Sequence, residues 1–381
     1  MVLHYSVGLS HELHGSVVRS TSTLARIIGI ANVLVVVVAV VGLLVIPGEP
    51  EAPRRPAASA PPATPEPTAT EPARPPGIVA TPESAREVKA NELGKIPVLM
   101  YHRIVKKRRA SIDRTPGQFR KELEKLARQG YVPISAREFA TGDIPVPPGK
   151  FPVVLTFDDG HPSHFGLDAQ GNVKPDTAVA IILETAAKYP DFRPVATFWI
   201  NHTPFGLQTE AEQAAAVRWL TANGFEVANH TWGHPNLRAL PAKSVREHIA
   251  RLERLLVRLG AGPAKTMALP YGSMPRQKKT ARKGEWKGTR YDFDGVFLAG
   301  AEPSVSPYAK KFDRGAIQRI QSNDKKGECR KWCSQYWLEW LNKNPGERYV
   351  SDGDPRRISI PSRLRGKIGS KRGLKVNAYQ P

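Results

Sequence analysis

Phe151-Pro152-Val153-Val154-Leu155-Thr156-Phe157-Asp158-Asp159-Gly160 frames the chain. The run from Phe151 to Phe157 is apolar but for Thr156, which reads as a strand buried on both faces. Two adjacent carboxylates follow it. Neighbouring strand residues point to opposite faces, but at a strand end followed by glycine both can turn toward one cavity. Paired carboxylates in a low-dielectric place repel, so something must compensate, and a metal cation would serve. An Asp-Asp-Gly loop turn fits the same residues.

Strands and helices alternate on either side of this segment. Ile96 to Tyr101 is a short apolar run and reads as a strand. Thr115-Pro116 opens a helix with Phe119, Leu123 and Leu126 on one face, stopped by Gly130. Ser135 with Glu138 forms a capping box for a second helix. Downstream, helices are expected at Thr177 to Lys188, from Thr209 to Gly224, and at Ser244 to Leu259. Strands are expected at Val195 to Ile200, Phe225 to Ala228 and Lys265 to Leu269. This α/β alternation implies a parallel sheet, open or closed into a barrel. There is no internal repeat, and neither GxGxxG nor GxxxxGK[ST] occurs.

Two further segments stand where a parallel sheet places its chemistry, at strand ends. One is His230-Thr231-Trp232-Gly233-His234-Pro235, whose imidazoles, four residues apart, can meet one ion if the segment turns helically. Solvated loop histidines are the plain alternative. The other is Ala268-Leu269-Pro270-Tyr271-Gly272, a tight turn able to aim a backbone N–H into a cavity.

Taken in order, TFDDG, HTxGHPxL and PYG resemble the polysaccharide deacetylases of carbohydrate esterase family 4, the NodB-homology domain. The resemblance spans roughly Ile96 to Ile320. It implies a distorted (β/α) barrel holding one divalent metal ion, expected to be zinc, on Asp159, His230 and His234. It makes Asp158 the general base and the backbone N–H of Tyr271 an oxyanion donor. Many members carry an arginine two residues before the Pro-Tyr and a late histidine as general acid. Here Ala268 stands at the arginine position, and no histidine follows His248. Val98-Leu99-Met100-Tyr101-His102-Arg103-Ile104 resembles the leading motif of the permuted subgroup that includes exopolysaccharide poly-N-acetylglucosamine deacetylases, which assigns the acid role to His102. His161 and His164, in an insertion-like segment after Gly160, are expected to shape the rim of the site.

Composition bounds the rest. Of 381 residues 40% are apolar, enough for a packed core, and two cysteines exclude a disulfide scaffold or a four-thiolate zinc site. Residues 1–26 are expected to be a cytoplasmic segment. Residues 27–46, uncharged with Asn32 the one clearly polar side chain, are long enough for a single transmembrane anchor, a cleaved signal peptide being the rival. Residues 47–94 read as a disordered linker, with twelve prolines between Pro47 and Ala90. Such a spacer suits a catalytic domain, 95–322, held outside the membrane.

Residues 323–381 read as a basic extension with a helix (Asp324 to Asn344) and a hairpin turning at Asp352-Gly353-Asp354. Cys329 and Cys333 are placed for a local disulfide. The formal charge of +21 is concentrated late: Ser273 to Pro381 holds 25 Lys+Arg against 11 Asp+Glu. An anionic wall polymer or lipid suits this tail, and nothing points to nucleic acid. The expected activity is metal-dependent removal of N-acetyl groups from an N-acetylhexosamine-containing cell-surface polysaccharide, releasing acetate. Peptidoglycan is the nearest alternative substrate. A catalytically silent glycan-binding barrel is the rival of another class.

Overall fold

The structure, a computed structural model, describes residues 79–324, 330–369, 371 and 373–381. The expected anchor and most of the expected linker lie outside them. No helix among the described residues is long and apolar enough to cross a membrane.

The helices are α1 Pro82–Glu87, α2 Pro116–Arg128, α3 Ala136–Thr141, α4 Ala178–Lys188, α5 Glu210–Ala222, α6 Ala242–Leu259, α7 Lys279–Arg282 and α8 Ser334–Lys343. Ten strands belong to the catalytic region: β1 Val98–Tyr101, β2 Tyr131–Ile134, β3 Phe151–Phe157, β4 Thr197–Ile200, β5 Glu226–Asn229, β6 Thr266–Ala268, β7 Lys283–Trp286, β8 Thr289–Asp292, β9 Gly295–Phe297 and β10 Ile320–Gln321. Two more, β11 Arg357–Pro361 and β12 Lys375–Tyr379, lie near the C-terminus. The start signals read from sequence act as expected. Thr115, Ser135 and Thr209 each close a capping box, and Thr177 caps α4.

The main sheet runs β10-β1-β3-β4-β5-β6-β9, with every ladder parallel, and β2 joins the first half of β3. Parallel strands buried on both faces explain the near-continuous apolar runs: β1, β2 and β4 are wholly buried. The ends of the sheet approach each other where Phe297 bridges Ile317 and the Leu298 N–H donates to the Ile317 carbonyl at 2.8 Å. The result is an α/β distorted half-barrel of parallel strands.

Sequence patterning missed several elements. β2 contains Pro133, which lacks the ladder donor. The β7–β8 hairpin is exposed and charged, and β10 is only two residues long.

Three boundary expectations need correction. Residues 79–94, assigned to the linker, are folded. α1 is capped by Thr81, and Ala85 and Ala90 pack with Tyr379, whose hydroxyl donates to the Ala90 carbonyl. The hairpin across 352–354 does not form. Val350 bridges Asn91 instead, and β11 pairs in parallel with β12. Asp352 and Asp354 turn inward: Asp352 accepts from the Ser359 hydroxyl, and Asp354 from the Arg356 and Arg357 guanidinium groups. The helix expected from Asp324 begins at Ser334. Cys333 is buried and disulfide-bonded, while Cys329, the other cysteine of the sequence, lies outside the described residues.

The C-terminal segment is therefore part of the fold. Ile358, Ile360 and Leu338 belong to the same apolar core as β1 and β3. The buried Glu92 carboxylate accepts from the Tyr349 hydroxyl at 2.9 Å and the Ser359 N–H at 2.8 Å. Gly94 sits where a Cβ would overlap the Arg348 carbonyl. Gly94→Ala should thus pry the two segments apart and lower stability by about 1–3 kcal/mol. Gly117→Ala, on exposed helix surface with nothing within 4 Å, should stabilise by about 0.5–1 kcal/mol. Thermal unfolding of the two variants checks the contrast.

Candidate metal and acyl-transfer site

The site grows from the ends of β3, β5 and β6. After Phe157 the chain breaks out of the ladder. Asp159 and Gly160 both take positive φ, at 73° and 60°. That kink lets both carboxylates face one pocket. Gly160 is needed here, because a Cβ would come within 3.1 Å of the Ile200 side chain.

His230, fully buried, directs Nδ1 at the Ala268 carbonyl, 2.9 Å away. The carbonyl can only accept, so Nδ1 carries the proton and Nε2 presents its lone pair to the pocket. That Nε2 lies 3.4 Å from Asp159 Oδ1, and His234 Nε2 lies 3.4 Å from the same oxygen. One ligand atom from each of Asp159, His230 and His234 falls within 4.8 Å of the others. Two donors about 2.1 Å from one tetrahedral ion would stand about 3.4 Å apart, so the trio fits a single divalent ion of zinc type. The three residues expected to bind metal are thus brought together.

The histidine loop is strained and heavily braced. Thr231 and His234 take positive φ, at 67° and 52°. The Asn201 amide donates to the His230 and Thr231 carbonyls at 2.7 and 2.8 Å. Asn229 accepts from the Thr231 N–H and donates to Glu253 at 2.7 Å. Glu253 also accepts from the Ala264 N–H, and burial raises its carboxyl to about 7 against the pull of these hydrogen bonds.

Asp158 is buried and does not belong to the ligand trio. Its two oxygens accept from Arg319 Nη1 and Nη2 at 2.7 and 2.8 Å. Burial alone would raise this carboxyl, but Arg319, His230 and His102 outweigh it and hold Asp158 well below the usual range. Arg319 is itself buried. It donates to the Leu298 carbonyl at 2.7 Å and lies 5.0 Å from the Trp199 ring centroid. No motif pointed to Arg319. The available signal was Ala268, since a buried aspartate without the expected arginine demands a cation from elsewhere.

His102, just after β1, brings Nε2 to 4.0 Å from Asp158 Oδ2. Burial lowers its pKa, opposed by the charges of Asp158 and Asp159. Its Nδ1 is buried and makes no hydrogen bond among the described residues. Tyr271, at φ 57° and largely exposed, sets its ring edge against His234 at 4.5 Å between centroids.

His164 is not at the rim. It is fully buried, its Nε2 meets the His102 carbonyl, and burial lowers it to about 4, so it is neutral and donates there. It anchors the backbone of His102. His161 keeps an outer position, bonded to the Ser163 hydroxyl at 2.9 Å.

The site segments lie within a stretch that is similar in sequence to known proteins. The family model "Polysaccharide deacetylase" matches residues 146–285. The matched stretch runs from just before β3 into β7 and so takes in Asp158, Asp159, His230, His234 and Tyr271. A peptidoglycan-N-acetylglucosamine deacetylase of Bacillus cereus is 25% identical over 189 residues, 49% of this chain and 60% of that protein. The match thus spans less than two thirds of the relative. Among solved structures, the Streptococcus pyogenes deacetylase PplD aligns with TM-score 0.46 and 19% identity over 60% of this chain and 92% of that one. IcaB from Ammonifex degensii aligns with TM-score 0.42 and 18% identity over 63% and 94%.

The bracing carboxyl gives a testable pH effect. Glu253 has a folded pKa raised above its ordinary 4.5, so the native state holds the extra proton between pH 4.5 and about 7. Its contribution is present at low pH and lost as pH rises through about 7, amounting to about 3 kcal/mol. Denaturant unfolding from pH 4.5 to 8 should show Glu253→Gln gaining stability relative to wild type by that amount. Parallel curves for the two proteins would deny the effect.

Proposed function

We propose that the chain is a metal-dependent de-N-acetylase that hydrolyses N-acetyl groups of a cell-surface glycan and releases acetate. The observation that carries this reading is the Asp159–His230–His234 trio set beside a separate, arginine-held Asp158. One carboxylate is free for an ion while its neighbour keeps its charge for proton transfer.

A divalent ion on the trio would supply a water of lowered pKa and positive charge beside the acetyl carbonyl. Asp158, kept ionised by Arg319, accepts the proton of the attacking water. The Tyr271 N–H, in the tight turn after β6, is the group that would offer a hydrogen bond to the developing oxyanion. His102 donates a proton to the departing amine, whose expulsion stalls without one. The Asp158 and Asp159 charges oppose the burial that holds the His102 pKa below its ordinary value. His164 holds the backbone from which His102 projects.

The early His102, the absence of any histidine after His248, and Ala268 in place of arginine support the arrangement of the permuted exopolysaccharide deacetylases. The twenty-residue apolar run and proline-rich spacer support a single-pass anchor with the domain outside the membrane.

The test uses the full-length chain in detergent micelles. Wild type should bind close to one zinc per chain and release acetate from N-acetylglucosamine oligomers. His234→Ala should lose the metal. His102→Ala should keep it while turnover falls by about 10² to 10⁴. His161→Ala should be milder. Metal content by atomic emission and acetate by coupled assay decide the matter, and normal turnover in His102→Ala would remove the assigned acid.

A further inference from the structure

We infer that the substrate is an anionic glycan, in which a unit next to the N-acetylated sugar carries a carboxylate or phosphodiester. This rests on the deacetylase reading and narrows its substrate.

A cleft of about 660 Å³ opens directly beside the Tyr271 turn. Gly272 and Ser273, the residues after Tyr271, line it, as does Leu298, whose carbonyl holds Arg319. Arg238 reaches it from the turn that follows His234. The cleft is thus built in part from residues that adjoin the site in sequence: Gly272 follows Tyr271, and Arg238 stands four residues after His234. Its volume lies within the ordinary range for a bound small molecule, about 300–1,000 Å³.

The lining is one-sided in charge. Arg238, Lys278, Lys279, Arg282 and Arg314 face a single carboxylate, Asp313. Asp313 already accepts from the Gly315 N–H at 2.8 Å. Arg282 has Asp292 at 3.6 Å. Among the described residues, Arg238, Lys278, Lys279 and Arg314 have no carboxylate within ion-pair distance. These cations come from three separated stretches of chain, so folding, not a local run of lysines, has gathered them. Like charges collected in a concave surface repel one another and focus a positive potential, which an anion relieves.

The chemistry sharpens the choice. Each turnover converts a neutral amide into an amine that is protonated at neutral pH. A neighbouring sugar already deacetylated would place an ammonium among these cations and be disfavoured. An acetylated polymer bearing regular anionic groups is attracted, and runs of consecutive deacetylation are discouraged.

The test compares three tetrasaccharides on the zinc-loaded full-length chain in micelles. One is neutral β-1,4-linked N-acetylglucosamine. One alternates N-acetylglucosamine with N-acetylmuramic acid, which supplies carboxylates. One is N-acetylglucosamine joined through phosphodiesters. At 20 mM salt at least one acidic oligomer should exceed the neutral one in kcat/KM by about tenfold, and the ratio should fall toward two at 500 mM. Which acidic oligomer leads identifies the source of the anion. In Lys278→Gln/Lys279→Gln/Arg314→Gln the ratio at low salt should drop to about one. Acetate released from all three at rates within twofold, insensitive to salt, would overturn the inference and leave the deacetylase reading standing. A preference that survives in the triple variant would also overturn it. Acetate from none of the three would remove the deacetylase reading, and this inference with it.

Discussion

A buried carboxylate beside a second carboxylate is untenable without a partner, and the Asp158–Arg319 pair meets that constraint at the centre of the molecule. The guanidinium spans both oxygens of Asp158, and two further N–H groups donate to Leu298 and Thr156. Removing one member of such a pair leaves an unpaired buried charge, a loss of about 3–5 kcal/mol. The arrangement also divides labour between neighbours in sequence. Asp158, neutralised by arginine, can stay ionised without an ion, and Asp159, half-exposed, is free to meet the histidines. Arg319 enters just before β10, the strand that pairs with β1, so the residues that bear Asp158, His102 and Arg319 are tied into one parallel ladder.

That ladder also explains why the late part of the chain belongs to the fold. Tyr349, Ile358 and Ile360 share the core of β1 and β3, Val376 and Ala378 pack against it, and the Glu92 carboxylate joins the early and late segments. High charge in the last hundred residues masked this. Much of it is surface, while a few charged groups, such as Arg319, Asp352 and Asp354, are buried and structural.

Legibility in the sequence followed locality. The helix caps at Thr115, Ser135 and Thr209 and the site segments at Asp158-Asp159, His230 to His234 and Pro270-Tyr271 are contiguous signals, and each lies where it was read. Arg319 is a single residue in a charge-dense stretch, brought to Asp158 by pairing between distant strands, and no spacing rule reaches it. His164 was misplaced because a loop histidine gives no sign of facing inward or outward. The hairpin at Asp352 to Asp354 was misread because Asp-Gly-Asp has turn chemistry, yet here its carboxylates serve as buried acceptors for Ser359, Arg356 and Arg357.

The account turns on Asp158 and Arg319 acting as one unit, which a double-mutant cycle on turnover measures directly. Acetate release would be followed for Asp158→Asn, Arg319→Met and the double variant of the zinc-loaded full-length chain, with metal content recorded for each. Each single variant should lose about 10² or more in kcat while still binding zinc, and the double variant should be little worse than either. Losses that multiply in the double variant, or normal turnover in Arg319→Met, would contradict the account.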